Sequence, residues 1–237
     1  MIAEPSAQVG AIPFPEQIAF FREKIDLPTN TWADLYATEH EYCFGVAGAA
    51  EETLLSDLRG AVNAAIADNE TLGEFRKRFG EIIERTGWDY RGGFDWRTRV
   101  IYETNLRQSY FAGREKQMSD PELRRARPFG LYKHGGSRNP RAEHLAWHNL
   151  VLPLDDPWWL SHSPMNGWGC HCKKFCVSER DVKRMGLSIA RQSPKTVMVE
   201  KLVGPIGDQK IVSVPEGIDP GFEYMPGEAR LRAQGLL

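Results

Sequence analysis

Three of the four cysteines, Cys170, Cys172 and Cys176, fall within seven residues. His134, His144 and His148 precede them on the same stretch. Thiolate and imidazole are the donors Zn²⁺ prefers, four to a tetrahedron at about 2.0–2.3 Å, whereas Mg²⁺ and Ca²⁺ prefer oxygen. Clustering of this kind in a chain with few cysteines points to metal before disulfide. A metal clip would also help a segment that has few backbone ladders of its own. The competing reading is a dry core. Free cysteine is among the most buried residue types, and a histidine beside it can be a hydrogen-bonding anchor.

Other side chains suggest weaker chemistry. Glu143 adjoins His144 and could act as a general base beside a metal-bound water, the arrangement of a zinc hydrolase or nuclease. The order lacks the second helical histidine of H-E-x-x-H. Asp155-Asp156 precedes Pro157 and reads as a turn. Arg124, Arg125, Arg127, Lys133, Arg138 and Arg141 interleave with Phe129, Tyr132 and His134, a pattern open to a nucleic-acid-binding module or to a solvated loop. No phosphate-binding glycine loop or nucleophile elbow is present. Trp147, Trp158, Trp159 and Trp168 fall within 22 residues, and most of them are expected to build a small core. Cys43 stands alone and reads as a core residue.

These residues need a scaffold. The chain has 237 residues, a formal net charge of −2 and 41% hydrophobic content. That excludes wholesale disorder and a globally basic nucleic-acid binder. No apolar run approaches the ~20 residues of a membrane helix, and the first residues do not resemble a secretory signal. Helices are predicted over 13–25, from Thr31 through TWADLYATEH, over 51–67, from the Thr71–Glu74 capping box to Gly87, and over 96–118. The last carries two apolar stripes and so packs between other elements. Asn105 lies mid-helix, where asparagine has poor propensity, and its amide is expected to bond backbone in 129–172. After Pro121 the regular elements predicted are a strand over 129–133, a helical turn over 142–148, a helix capped by Ser178 and ending at Gly186, and a hairpin of 196–203 with 210–214. The class is α+β: an N-terminal helical bundle (1–118), then a loop-rich Cys/His/Trp region with a C-terminal hairpin (119–237) packed on the helix 96–118.

Three long motifs then stand out in order: WRTRVIYETNLRQSYFAGR (96–114), PRAEHLAWHNLVLPLDDPWW (140–159) and PMNGWGCHC (164–172). With PTNTWADL (28–35), FGVAGA (44–49) and PEGIDPGFEYMPG (215–227), they resemble the phage Mu F-like minor head protein family, also called head morphogenesis proteins. Asn105, Arg141, Trp147, Trp159, Asn166 and Trp168 fall in these motifs. The resemblance implies a non-enzymatic minor component of tailed-phage heads, made in the host bacterial cytoplasm and located in the virion head. It would act in assembly near the portal vertex, with portal protein and other head proteins as partners and packaged DNA within reach. Met165 and His171 replace the family's usual Pro and Arg, and His148 stands where Asp is common. Against that pattern Cys170, Cys172 and His144 are the implied zinc ligands, with His134 as the fourth and Cys176 and His171 weaker. A zinc-dependent hydrolase or nuclease associated with a head is the alternative.

Overall fold

The computed structural model describes residues 13–137 and 139–237. The fold is α+β. Helix α1 (Pro15–Arg22) opens with proline at its first position, where a missing N–H costs nothing. Two short parallel strands, β1 (Ile25–Asp26) and β2 (Cys43–Phe44), follow. Between them the predicted helix from Thr31 is instead a turn followed by one 3-10 segment, Ala37–Glu41. The Asp34 carboxylate takes the backbone N–H groups of Asn30 and Thr31 and fixes a side-chain turn at the expected helix start.

Helix α2 (Glu52–Ala67) turns Leu54, Leu55, Leu58 and Val62 inward, the face its apolar spacing predicts. Helix α3 (Leu72–Thr86) starts at the expected capping box: Thr71 Oγ1 accepts from Glu74 N at 3.3 Å, and Glu74 Oε2 accepts from Thr71 N at 2.6 Å. It ends at Gly87, whose φ of +66° is open to glycine at little cost. Phe75 and Phe79 join the α2 leucines in one core with Phe21, Phe44 and Ile101. Each large apolar side chain fully buried there contributes roughly 1.5–3 kcal/mol.

Helix α4 (Phe94–Met118) is the spine. Ile101 faces the helical core, while Phe111 belongs to a second core made by the C-terminal half. Asn105 does not join the halves as expected: its amide donates to Ile101 O, one turn back in its own helix, at 2.9 Å. The junction is made by longer side chains of α4. Arg107 donates to Cys170 O at 2.7 Å, and Glu115 receives buried Lys174 at 2.9 Å.

Pro121 ends α4 and opens α5 (Pro121–Ala126), with Asp120 as its cap. Strand β3 (Phe129–Lys133) forms where predicted, yet the region holds more ladder than the sequence suggests. After α6 (Ala142–Ala146) comes β4 (Val151–Pro153). The short helix α7 (Trp159–His162) leads to β5 (Lys173–Val177). The sheet order is β4-β3-β5, all antiparallel, with Leu131 opposite both Val151 and Phe175. Alternation along β3 sends Phe129 and Leu131 to a core with Val182 of α8 (Glu179–Arg184), and Tyr132 to the tryptophan core. The predicted hairpin is β6 (Met198–Val203) with β7 (Lys210–Pro215). The extended tail then carries an unpredicted helix, α9 (Glu228–Ala233), which returns to the N-terminal half. There Arg230 N donates to Glu41 at 3.3 Å and its guanidinium pairs with Glu23 at 2.5 Å.

Candidate metal centre

α6 supplies His144, and the loop entering β5 supplies Cys170 and Cys172. His144 Nδ1 lies 3.8 Å from Cys170 Sγ and 3.6 Å from Cys172 Sγ, and the three donor atoms all fall within 4.8 Å of one another. All three residues are buried, none more than 3% exposed. Two regularities bring them together. The single residue between the cysteines lets both face inward while His171 turns outward to Arg107 and Glu103. The imidazole is fixed from behind, since its Nε2 lies 2.9 Å from Gly217 O. A carbonyl only accepts, so Nε2 carries the proton and Nδ1 presents a lone pair to the sulfurs. Metal-binding histidines usually have such an outer partner.

Gly217 is held at φ +84°, and a Cβ there would meet Glu143 Cβ at 2.6 Å. The carbonyl that orients His144 therefore depends on glycine at this position. Trp147 stacks on the imidazole with centroids 5.2 Å apart. Arg141, just before α6, pairs with Asp219. Asp219 also accepts the Trp168 backbone N–H at 3.0 Å. Asn166, fully buried, accepts from Tyr132 Oη at 2.9 Å, and its carbonyl accepts from Asp219 N at 3.0 Å. Arg141, Asp219, Asn166 and Tyr132 thus frame the loop that carries the cysteines. Trp158 and Trp159 complete the surrounding core, and Trp159 Nε1 donates to Pro153 O at 2.9 Å. Trp168 lies partly outside it, edge-on to Phe222 and Trp32.

The two thiols are shifted in opposite directions. Cys172 is pulled down by the Cys170 S–H, against its own burial, and further by the Tyr132 hydroxyl and Arg141. Cys170 is pushed up because it donates to Cys172 and is buried. Burial and the neighbouring sulfurs hold the Tyr132 phenol protonated.

The donor set fits zinc. Tetrahedral bonds of about 2.3 Å to sulfur and about 2.0 Å to nitrogen place S and N roughly 3.5 Å apart, close to the 3.6 and 3.8 Å found. His134 is outside this convergence. It closes the turn leaving β3: its Nδ1 accepts from Gly136 N at 3.2 Å, and its own N–H donates to His148 at 3.0 Å. His148 is exposed. Cys176 lies on β5, half-buried, with its carbonyl facing Arg127 at 3.4 Å. Among the described residues no other His/Cys/Asp/Glu group converges in this way. Cys43 is half-buried in β2. Gly217 and Asp219 carry no metal-ligand signal, and only the motif 215–227 marked their segment.

Two of the six cations of the basic stretch are held in ion pairs. Arg127 meets Asp181 at 3.0 Å and Arg141 meets Asp219. Lys133 donates to Asn149, and Arg138 lies outside the described residues. No helix among the described residues is long and apolar enough to cross a membrane.

The family model described as "Phage Mu protein F like protein" matches residues 56–175, a span that includes α4, α6, His144 and both buried cysteines. The chain is similar to "Putative capsid assembly protein F" of Escherichia phage Mu, 30% identical over 198 residues, covering 78% of this chain and 45% of that protein. It is also similar to the "Mu-like prophage FluMu F protein" of Haemophilus influenzae, 31% identical over 187 residues, covering 74% of this chain and 44% of that one. The chain therefore spans less than half the length of these curated relatives. No solved structure matches it. The family match takes in both the α4 spine and the loop that brings the cysteines to His144, and the chain belongs to the phage Mu protein F-like family.

Proposed function

We propose that this chain is a non-enzymatic capsid assembly component of a phage or prophage head, working in the virion beside other head proteins at the portal vertex. The observation that carries the reading is the family match, together with a relative named for capsid assembly. Packaged DNA lies within reach of such a position. Residues 1–118 act as the helical unit and 119–237 as the loop-rich unit packed on α4. Cross-linking mass spectrometry of assembled heads tests the reading. Links from this chain to portal or shell protein support it, and a chain absent from purified heads overturns it.

Within that role the His144–Cys170–Cys172 cluster is a structural zinc clip. It joins α6 to a loop 26–28 residues further along the chain, and metal binding at such a site contributes folding free energy directly. Zinc bound there supplies charge neutralisation and geometric fixing of the two sulfurs. Gly217 orients the imidazole, and Tyr132, Asn166 and the Arg141–Asp219 pair hold the loop.

One observation favours a second reading. A structural zinc site has four protein ligands as a rule, and three are the complement of a zinc hydrolase, for which Glu143 would be the base. The Glu143 stem lies against Gly217, on the side of His144 away from the sulfurs. A hydrolase or nuclease assay of zinc-loaded wild type and Glu143→Ala separates the two: activity lost in the variant supports an enzyme, and no turnover in either supports the clip.

A further inference from the structure

The hairpin of β6 and β7 is apolar on both faces. Its register sets Val199 opposite Val214 and Leu202 opposite Ile211, and alternation sends these two pairs to opposite sides. The inner side is packed: Val203 and Val214 are buried, and Lys201 Nζ donates to Ile218 O at 2.9 Å. The solvent side of an antiparallel sheet normally carries polar side chains. Here Met198, Leu202 and Ile211 are 52%, 62% and 66% exposed, and Ile206 at the tip is 98% exposed. Among the described residues no third strand joins the hairpin, and a two-stranded sheet is marginal in water by itself. The four side chains leave roughly 500 Å² per chain in water, the size of the largest apolar patch on a typical monomer, which is often functional.

We propose that this outer face docks on the same face of a second copy of the chain. The two hairpins stack face to face and run antiparallel, with a twofold axis at the Leu202–Ile211 pair. Two observations select a second copy. The first is area: a pair of chains covering these side chains removes about 1,000 Å² from water, the size at which a specific interface becomes stable. The second is spacing. Met198 and Ile206 stand four residues on either side of Leu202, and a twofold contact must be self-complementary. With the axis at Leu202 and Ile211, those residues cover their own counterparts, and Met198 at the base of each hairpin meets Ile206 at the tip of the other. Glu200, the exposed charge of the outer strand face, lies two residues from the axis, so the two carboxylates end at least about 13 Å apart. Pairing by edges fits less well. Strand β7 ends at Pro215, which has no N–H to give a ladder. Two β6 edges centred on Glu200 set like charges opposite each other, and either edge pairing leaves the apolar face in water. The inference does not require the head-assembly reading, since it rests on the hairpin alone.

The test is sedimentation velocity of the full chain between about 1 and 200 µM. A monomer–dimer equilibrium is expected, with a dissociation constant in the micromolar range because the interface is small. Leu202→Lys and Ile211→Lys, both at exposed positions, should each weaken the dimer at least about tenfold and leave the far-UV spectrum of the monomer unchanged. Chains carrying Met198→Cys mixed with chains carrying Ile206→Cys should cross-link through a short bis-maleimide more than either variant does alone. A chain that stays monomeric over the whole range, a dimer indifferent to both lysine variants, or cross-linking of Met198→Cys to itself in preference to Ile206→Cys would each overturn the proposal. So would a monomer whose hairpin amides gain protection from hydrogen exchange only when another head protein is added, since that protein is then the occupant.

Discussion

Replacing Lys174 by methionine should be among the most damaging single changes in the molecule. Lys174 Nζ reaches both oxygens of Glu115, at 2.9 and 3.0 Å, and Ser163 Oγ at 3.3 Å, and it lies 4.6 Å from the Trp159 ring centre. The side chains of Lys174 and Glu115 are 2% and 6% exposed. Burial pushes the lysine pKa down, and Glu115 works against that shift. Because the pair had to be desolvated, its net contribution is small, but removing one partner strands a buried charge at about 3–5 kcal/mol. Lys174→Met should therefore lower stability by about 3–5 kcal/mol at pH 7.5, read by urea denaturation with circular dichroism. The double variant Lys174→Met/Glu115→Leu should recover most of that loss. A single variant within about 1 kcal/mol of wild type, or a double as unstable as the single, would refute the reasoning.

Further outcomes follow from the same geometry. His162 is buried against Trp158 and held neutral, its pKa pushed down to about 4 by burial. Its unfolded pKa lies near 6.5, so the unfolded state binds the proton first. Wild type should lose up to about 3 kcal/mol as pH falls from 6.5 to 4, and denaturation curves of His162→Phe should show a flatter profile over that window. Gly217→Ala combines a positive φ with a clash on Glu143 and should cost roughly 2–5 kcal/mol in the same assay. Arg107→Met strips the donor from Cys170 O and should cost about 1–3 kcal/mol, whereas Asn105→Leu, which breaks only an intrahelical bond, should cost less in parallel melts.

Helical elements were legible wherever caps and spacing agreed. Thr71, Gly87 and the α2 leucines each marked their positions. The turn after Thr31 was not, because Thr31 and Asp34 have the spacing of a helix cap while Asp34 captures the backbone N–H groups of a local turn. Strand β5 was hidden by Lys174, a charge at an inward position that makes sense only once Glu115 of α4 is opposite it. Strand β4 is three residues long and ends in proline, too short to show a period. At the candidate site the chemistry of Cys170, Cys172 and His144 was visible in residue type, and their convergence is a tertiary property. His134 looked equivalent by type, but it closes a turn beyond the end of β3. The orienting carbonyl of Gly217 is backbone, so no side-chain motif could announce it.

Metal stoichiometry of the natively purified chain, measured by inductively coupled plasma mass spectrometry, tests the central claim most directly. One zinc per chain is predicted. It should be lost in Cys170→Ser and in His144→Ala and retained in His134→Ala, with chelation of the wild-type zinc lowering the Tm. A chain that binds no zinc when supplied with it, and whose Tm is indifferent to chelator, would contradict the clip and leave His144, Cys170 and Cys172 as a hydrogen-bonded core.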